Sequence, residues 1–110
     1  MADTEYSERR RYARHPGPFD GWCVDGEPAA VRVMNLNLGG CFVLGSSERE
    51  IGQTFQLRID LGDEGLLEVS ATTLYHSMNG SAVTFLNLTQ NAFKQIQRAV
   101  DASWASEPMP

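Results

Sequence analysis

The sequence has few of the residues on which several classes of protein depend. It contains only two cysteines, Cys23 and Cys41, which are too few for a disulfide framework and lie in apolar stretches typical of buried, reduced side chains. Its two histidines, His15 and His76, do not have the spacing to other ligands that a zinc site needs. A catalytic triad, which needs a histidine between an acid and a nucleophile, is equally unsupported. We therefore expect no metal and no enzymatic activity.

Long apolar runs are also missing. No stretch approaches the roughly 18 residues of a membrane-spanning helix. Residues 1–5 are acidic and polar, unlike the start of a signal peptide. We expect a cytoplasmic protein with no direct insertion into a membrane. The sequence also lacks a Walker-type phosphate loop and the glycine pattern of dinucleotide-binding folds.

Positive charge is scarce and concentrated at one end. The chain holds nine Lys and Arg against 14 Asp and Glu, for a net charge of −5. Four arginines fall within residues 9–14, and the only lysine is Lys94. The acidic balance argues against DNA or RNA on a broad basic face, and the strands lack the cations of a single-strand binder. The arginines suit one small anionic ligand, since guanidinium matches phosphate and a guanine edge. A disordered basic arm is the alternative interpretation.

Short β-favouring runs predict a small all-β domain. Turn signals such as Asp25-Gly26 and Asn79-Gly80 separate six of these runs. In residues 54–61 apolar and polar side chains alternate without exception, which is typical of a half-buried strand. The predicted strands are residues 19–24, 29–35, 41–44, 54–61, 66–76 and 81–86.

The last part of the sequence has helical periodicity. Thr89 is a good N-cap, and residues 90–104 contain no Gly or Pro. The predicted apolar stripe of this helix is Phe93, Ile96, Val100 and Trp104. We therefore predict a mainly β fold, a six-stranded antiparallel β-barrel with a C-terminal α-helix over residues 19–106. Residues 1–18, which join the arginines to a Pro-Gly-Pro stretch, are predicted to form a flexible N-terminal arm.

The break between the second and third predicted strands carries amide side chains beside two glycines. In the stretch Asn35-Leu36-Asn37-Leu38-Gly39-Gly40 the asparagines alternate, so both can point to one face of the strand end. The glycines leave room for a flat group to approach the backbone. With the arginines, such a site suits a ligand that has phosphates and a purine edge. The alternative interpretation is a turn held by asparagine side chains.

The two segments together resemble the PilZ domain, the bacterial receptor module for the second messenger cyclic di-GMP. The stretch Arg10-Arg11-Tyr12-Ala13-Arg14 fits the family's Arg-x-x-x-Arg motif. Asn35 and Gly40 fit the first and last positions of its Asp/Asn-x-Ser-x-x-Gly motif, and Asn37 stands in place of the serine. The resemblance continues through the later strands to the C-terminal helix, and it implies a PilZ-like barrel.

The resemblance implies a cyclic di-GMP receptor or adaptor with no other cofactor. The implied ligand-binding residues are Arg9, Arg10, Arg14, Asn35, Asn37, Gly40 and Tyr75. The arginines would bind phosphates and a guanine edge, and the second motif would contact a guanine from the barrel. Tyr75 would offer an aromatic face, with core packing or simple exposure as alternatives. Ordering of the arm would change a surface for an unidentified protein effector. The other implied possibility is a degenerate PilZ-like adaptor that binds proteins without nucleotide.

Overall fold

The structure is a computed structural model, and it describes residues 15–24, 29–45 and 49–106. The first fourteen residues of the predicted arm, including Arg9, Arg10 and Arg14, lie outside these ranges. The strands are β1 (Phe19–Cys23), β2 (Ala29–Met34), β3 (Gly40–Leu44), β4 (Thr54–Asp60), β5 (Leu66–His76) and β6 (Gly80–Leu86). A 3-10 turn at Gly62–Glu64 precedes β5, and helix α1 spans Gln90–Ser106.

The six strands close into an antiparallel barrel, which confirms the predicted fold class. Their order around the barrel is β1-β2-β3-β6-β5-β4, and β1 pairs with β4 to complete the ring. In β4, Phe55, Leu57 and Ile59 point into the core while the residues between them are exposed. The inward side chains of all six strands therefore share one apolar interior. β2 ends one residue before the predicted boundary because Asn35 adopts a left-handed φ of 54°.

Strand β5 carries a bulge that the sequence pattern does not reveal. Thr73 pairs with Val83 and Tyr75 pairs with Ala82, so Leu74 is an extra residue on its strand. Leu74 is 53% exposed and Tyr75 is 56% exposed. Strict alternation would have turned one of these two side chains into the core. The bulge instead places both on the outside of the barrel.

Helix α1 packs against the start of β5. Its N-cap is the predicted one, since the Ala92 N–H donates to Thr89 Oγ1 at 3.0 Å. The Gln95 side chain donates to the carbonyl oxygens of Glu64 at 3.0 Å and Leu66 at 3.2 Å. These bonds fix the helix at the end of the barrel where β4 finishes and β5 begins.

The buried face of α1 differs from the predicted apolar stripe. The buried residues are Ala92, Ile96, Ala99 and Val100. The prediction is wrong at Phe93, which is 42% exposed, and the side chain of Trp104 lies outside the described part of the chain. Two alanines let the helix backbone approach the barrel more closely than a face with Phe93 would allow.

Both cysteines are buried and unpaired, as the sequence predicts. Burial, together with the nearby Cys23, raises the pKa of the Cys41 thiol and keeps it protonated. Among the described residues, no helix has the length and apolar character needed to cross a membrane.

Candidate functional site

The end of the arm is attached to the loop between β2 and β3. His15 and Leu36 exchange two backbone hydrogen bonds of 2.8 Å, and the Asn35 N–H donates to the Pro16 carbonyl at 3.2 Å. Leu36 is fully buried, so the attachment is anchored in the core. Arg14, the last arginine of the segment at residues 9–14, directly precedes His15 in the sequence.

The side chain of Asn37 holds the loop in shape. Its Oδ1 accepts hydrogen bonds from the Gly39 N–H at 2.8 Å and the Gly40 N–H at 3.1 Å. Its Nδ2 donates to the Asn35 carbonyl at 3.1 Å. These are the bonds that the turn interpretation of the sequence predicts. The loop is therefore held in shape by contacts within it.

The loop is also fixed to strand β6. The Gly39 carbonyl accepts hydrogen bonds from the Phe85 N–H and from Thr84 Oγ1, each at 2.9 Å. A Cβ added at Gly40 would lie 2.0 Å from the Val83 carbonyl oxygen, far inside contact distance. The room that the sequence suggests at Gly40 is thus filled by β6, and glycine is needed there for β3 and β6 to approach.

A shallow pocket of about 290 Å³ opens on the outer wall of the barrel beside the loop. The loop contributes Asn35, Asn37, Gly39 and Gly40, and the wall contributes Phe42, Leu74, Tyr75, Ala82 and Thr84. The strand register places Phe42, Ala82 and Tyr75 in one row across β3, β6 and β5. This row sets two aromatic side chains and a methyl group side by side over about two strand spacings, roughly 10 Å.

No charged side chain lines this pocket among the residues that the structure describes. The described cations are Arg32, Arg49, Arg58, Lys94 and Arg98. Arg58 Nε lies 2.7 Å from Glu68 on another part of the barrel, and Arg32 lies 3.5 Å from Asp20. None of these five side chains lines the pocket, so its described wall offers an anion no cationic partner.

The predicted site residues divide into two groups. One group lines the pocket beside the loop and consists of Asn35, Asn37, Gly40 and Tyr75. The three arginines, Arg9, Arg10 and Arg14, lie outside the described residues, and their contribution stays a prediction. Sequence reasoning missed Phe42, Ala82 and Thr84, which reach the pocket only because β3 pairs with β6 rather than with the next strand in the chain. The only sequence signal for these three pocket residues is that strand alternation turns their side chains outward.

The second histidine has a structural role. His76 Nδ1 lies 2.7 Å from Ser81 Oγ, and its Nε2 lies 2.7 Å from the Arg49 carbonyl. Both ring nitrogens are therefore engaged in joining the β3–β4 loop to the β5–β6 hairpin. No three potential metal ligands cluster within the described part of the chain.

The structure thus combines a closed barrel with a wall pocket that has no charged lining among the described residues. The sequence profile of the PilZ domain matches residues 8–102, so the chain belongs to the PilZ domain family. PilZ domains are ligand-binding adaptor domains and not enzymes, in agreement with the non-enzymatic protein that the sequence predicts. No sequence among the curated proteins matches the chain.

Solved structures share the fold. The PilZ domain of YcgR from Escherichia coli, solved with cyclic di-GMP, has a TM-score of 0.72 and 22% identity, covering 88% of this chain and 92% of that one. The Bacillus subtilis inhibitor of motility (MotI/DgrA) has a TM-score of 0.77 and 15% identity, covering 91% of this chain and 53% of that one. The PilZ domain of CeSA, from a cellulose-synthesizing bacterium, has a TM-score of 0.60 and 16% identity, covering 81% and 95%. This chain thus spans about half the length of the Bacillus protein.

Proposed function

We propose that the protein is a receptor for cyclic di-GMP whose arginine arm folds onto the barrel around the ligand. One observation carries the proposal. The pocket beside the Asn35–Gly40 loop has no charged lining among the described residues, yet the arginine segment begins next to His15, which is bonded to that loop. A dinucleotide with two phosphates needs cations, and arginine provides paired donors for phosphate oxygens.

The barrel offers the complementary half of a guanine site. The row of Phe42, Ala82 and Tyr75 presents two aromatic rings against which a base can stack. Asn35 is exposed at the rim, where its amide can both donate to and accept from a base edge. Asn37 has its oxygen committed to the loop but carries a second amide hydrogen besides the one bonded to Asn35.

The arm is long enough to cover this surface. An extended chain spans at most about 3.5 Å per residue, so Arg10, five residues before His15, can lie up to about 17 Å from it. The row of three strands is roughly 10 Å wide. Arg10 and Arg14 can therefore bind opposite sides of a ligand that rests on the row, with Arg9 adding a further cation or a stacking surface.

Binding would alter a surface for a protein effector. Leu74 and Tyr75 are exposed at the pocket, and Met78, in the adjacent hairpin, is fully exposed. An arm that folds over the pocket changes which of these apolar side chains a partner can contact. A cytosolic location in a bacterium, without DNA, RNA or membrane insertion, is part of the same proposal.

A PilZ adaptor that binds its partner without nucleotide is the second candidate. The observation that favours it is Asn37, whose oxygen is already occupied by two backbone N–H groups where the family motif has a smaller serine. A wild-type protein that binds no cyclic di-GMP would support this candidate.

Calorimetric titration with cyclic di-GMP tests the proposal. We expect Arg10→Ala and Arg14→Ala each to weaken binding by about tenfold to a hundredfold, because a well-made arginine contact contributes roughly 1 to 3 kcal/mol. Arg58→Ala is the matched control, since Arg58 is paired with Glu68 away from the pocket and its loss should leave affinity unchanged. Wild-type affinity in both arm variants would show that the site is assigned wrongly.

A further inference from the structure

His15 directly follows the arginine segment in the sequence, and its backbone contacts the Asn35–Gly40 loop, here called the binding loop. Its backbone pairs with Leu36, and its ring packs against Phe19 with centroids 4.5 Å apart. The Gly17 N–H donates to His15 Nδ1 at 2.9 Å. The side chain thus holds residues 15 to 17 in the turn that brings the arm to the loop.

The bond between Gly17 and His15 requires a neutral imidazole. A ring nitrogen accepts a hydrogen bond only while it carries no proton. Burial lowers the pKa of His15 from its ordinary value of 6.5, which also favours the neutral ring. Because the folded pKa lies below the unfolded one, the contribution of this contact is complete above about pH 6.5 and is lost as the pH falls further.

Within residues 15–24, 29–45 and 49–106, no acid acts on His15 to stabilise a protonated ring, and burial is the cause of its pKa shift. Residues 35–40 of the loop contain no titratable side chain, and Cys41 behind them stays protonated because burial raises its pKa. On β1 and β2 the charged neighbours are Asp20 and Arg32, which are exposed and pair with each other at 3.5 Å.

We propose that His15 is a positioning residue that makes nucleotide binding sensitive to pH. The neutral ring clamps the end of the arm to the binding loop, and the protonated ring releases the Gly17 N–H and weakens the clamp. This inference rests on the proposed function, because the clamp matters to binding only if the arm carries the ligand's cations. Acidification would then lower affinity even though the ring gains a positive charge.

The test is the dissociation constant for cyclic di-GMP at pH 7.5 and pH 5.5. We expect the wild type to bind about three- to tenfold more weakly at the lower pH, the effect of losing one positioning hydrogen bond. His15→Asn should bind equally at both values, because an asparagine oxygen can accept from the N–H two residues on and does not titrate. His15→Phe, which keeps a ring against Phe19 but has no acceptor, should bind weakly at both. His76→Asn, the matched control at the only other histidine, should keep the pH dependence of the wild type.

Two results would overturn the inference: tighter wild-type binding at pH 5.5, or a His15→Asn variant with the same pH dependence as the wild type. A wild type that binds no nucleotide at either pH would instead contradict the proposed function. In that case hydrogen exchange in the free protein decides about the clamp. We expect the protection factors of the Gly17 and Leu36 amides to fall at pH 5.5 in the wild type and not in His15→Asn, and unchanged protection in the wild type would refute the clamp.

Discussion

Two outer walls of the barrel obey the same strand alternation but present different chemistry. On the wall formed by β1 and β4, Trp22 lies beside Arg58, which forms an ion pair with Glu68. On the wall formed by β3 and β6, Phe42, Ala82 and Thr84 surround a pocket that has no charged lining among the described residues. Exposed ion pairs contribute little to stability, commonly under about 1 kcal/mol. On the first wall, Arg58 and Glu68 neutralise each other's charge. On the second wall, an anion would need a cation from outside the described pocket lining.

The difference between the two walls points to residues outside the pocket wall as the source of positive charge for this site. The pocket wall supplies shape, amides and an apolar surface, and its loop is already held by Asn37 and β6. A pre-ordered loop loses little conformational entropy on binding, so the affinity can depend on the few groups that bring charge. The arginine segment next to His15 is the nearest basic cluster in the sequence.

The largest expected effect is on the free energy of unfolding, when Gly40 in the wall formed by β3 and β6 is substituted. In Gly40→Ala the new methyl group would meet the Val83 carbonyl oxygen at 2.0 Å, and neither backbone can move without breaking the β3–β6 pairing. We expect a loss of about 3 kcal/mol or more in the free energy of unfolding, measured by urea denaturation. In the control, Gly39→Ala, the methyl group meets only the Asn37 Oδ1 at 3.2 Å, and the loss should stay under about 1 kcal/mol. Equal losses in the two variants would mean that close β3–β6 contact does not shape this wall.

A smaller effect is expected from unlocking the loop. Asn37→Ala removes the acceptor of the Gly39 and Gly40 N–H groups, so we expect about 1 to 2 kcal/mol less stability and roughly tenfold weaker binding of cyclic di-GMP. Asn37→Ser restores a shorter acceptor at the position where the family motif has serine, and we expect it to bind no more tightly than the wild type. Calorimetry on both variants measures this. Tighter binding by Asn37→Ser would show that asparagine crowds the ligand, which would favour the adaptor that works without nucleotide.

Much of the fold could be predicted from the sequence because its signals are local. Alternation in residues 54–61 and the turn at Asn79-Gly80 depend only on neighbouring residues, and the strands formed close to where they were expected. The N-cap at Thr89 is equally local. The closed barrel followed because six short strands can remove their exposed edges by closing.

The remaining features depend on contacts between distant parts of the chain. The pairing of β3 with β6 brings Phe42 to Ala82 and Thr84 to Gly39, and no periodicity encodes that partnership. The bulge at Leu74 and the burial of the Ala92 face of α1 in place of Phe93 were likewise decided by packing. The family motif and an aromatic near a strand end single out Asn35, Asn37, Gly40 and Tyr75 in the sequence, and their role in binding stays a prediction. That these four line one pocket, and that no charged side chain of the described residues lines it, became visible only in three dimensions.

In the proposed site, the wall formed by β3 and β6 and the arginine segment bind one ligand together. An amide NMR titration with cyclic di-GMP tests it most directly. We predict that signals from residues 9–14, from the loop at 35–40, and from Tyr75 and Thr84 shift together with one affinity, while those of Trp22 and Arg58 on the opposite wall stay in place. Signals that remain still at residues 9–14 and 35–40 under saturating ligand, or shifts centred on β1 and β4, would contradict the account.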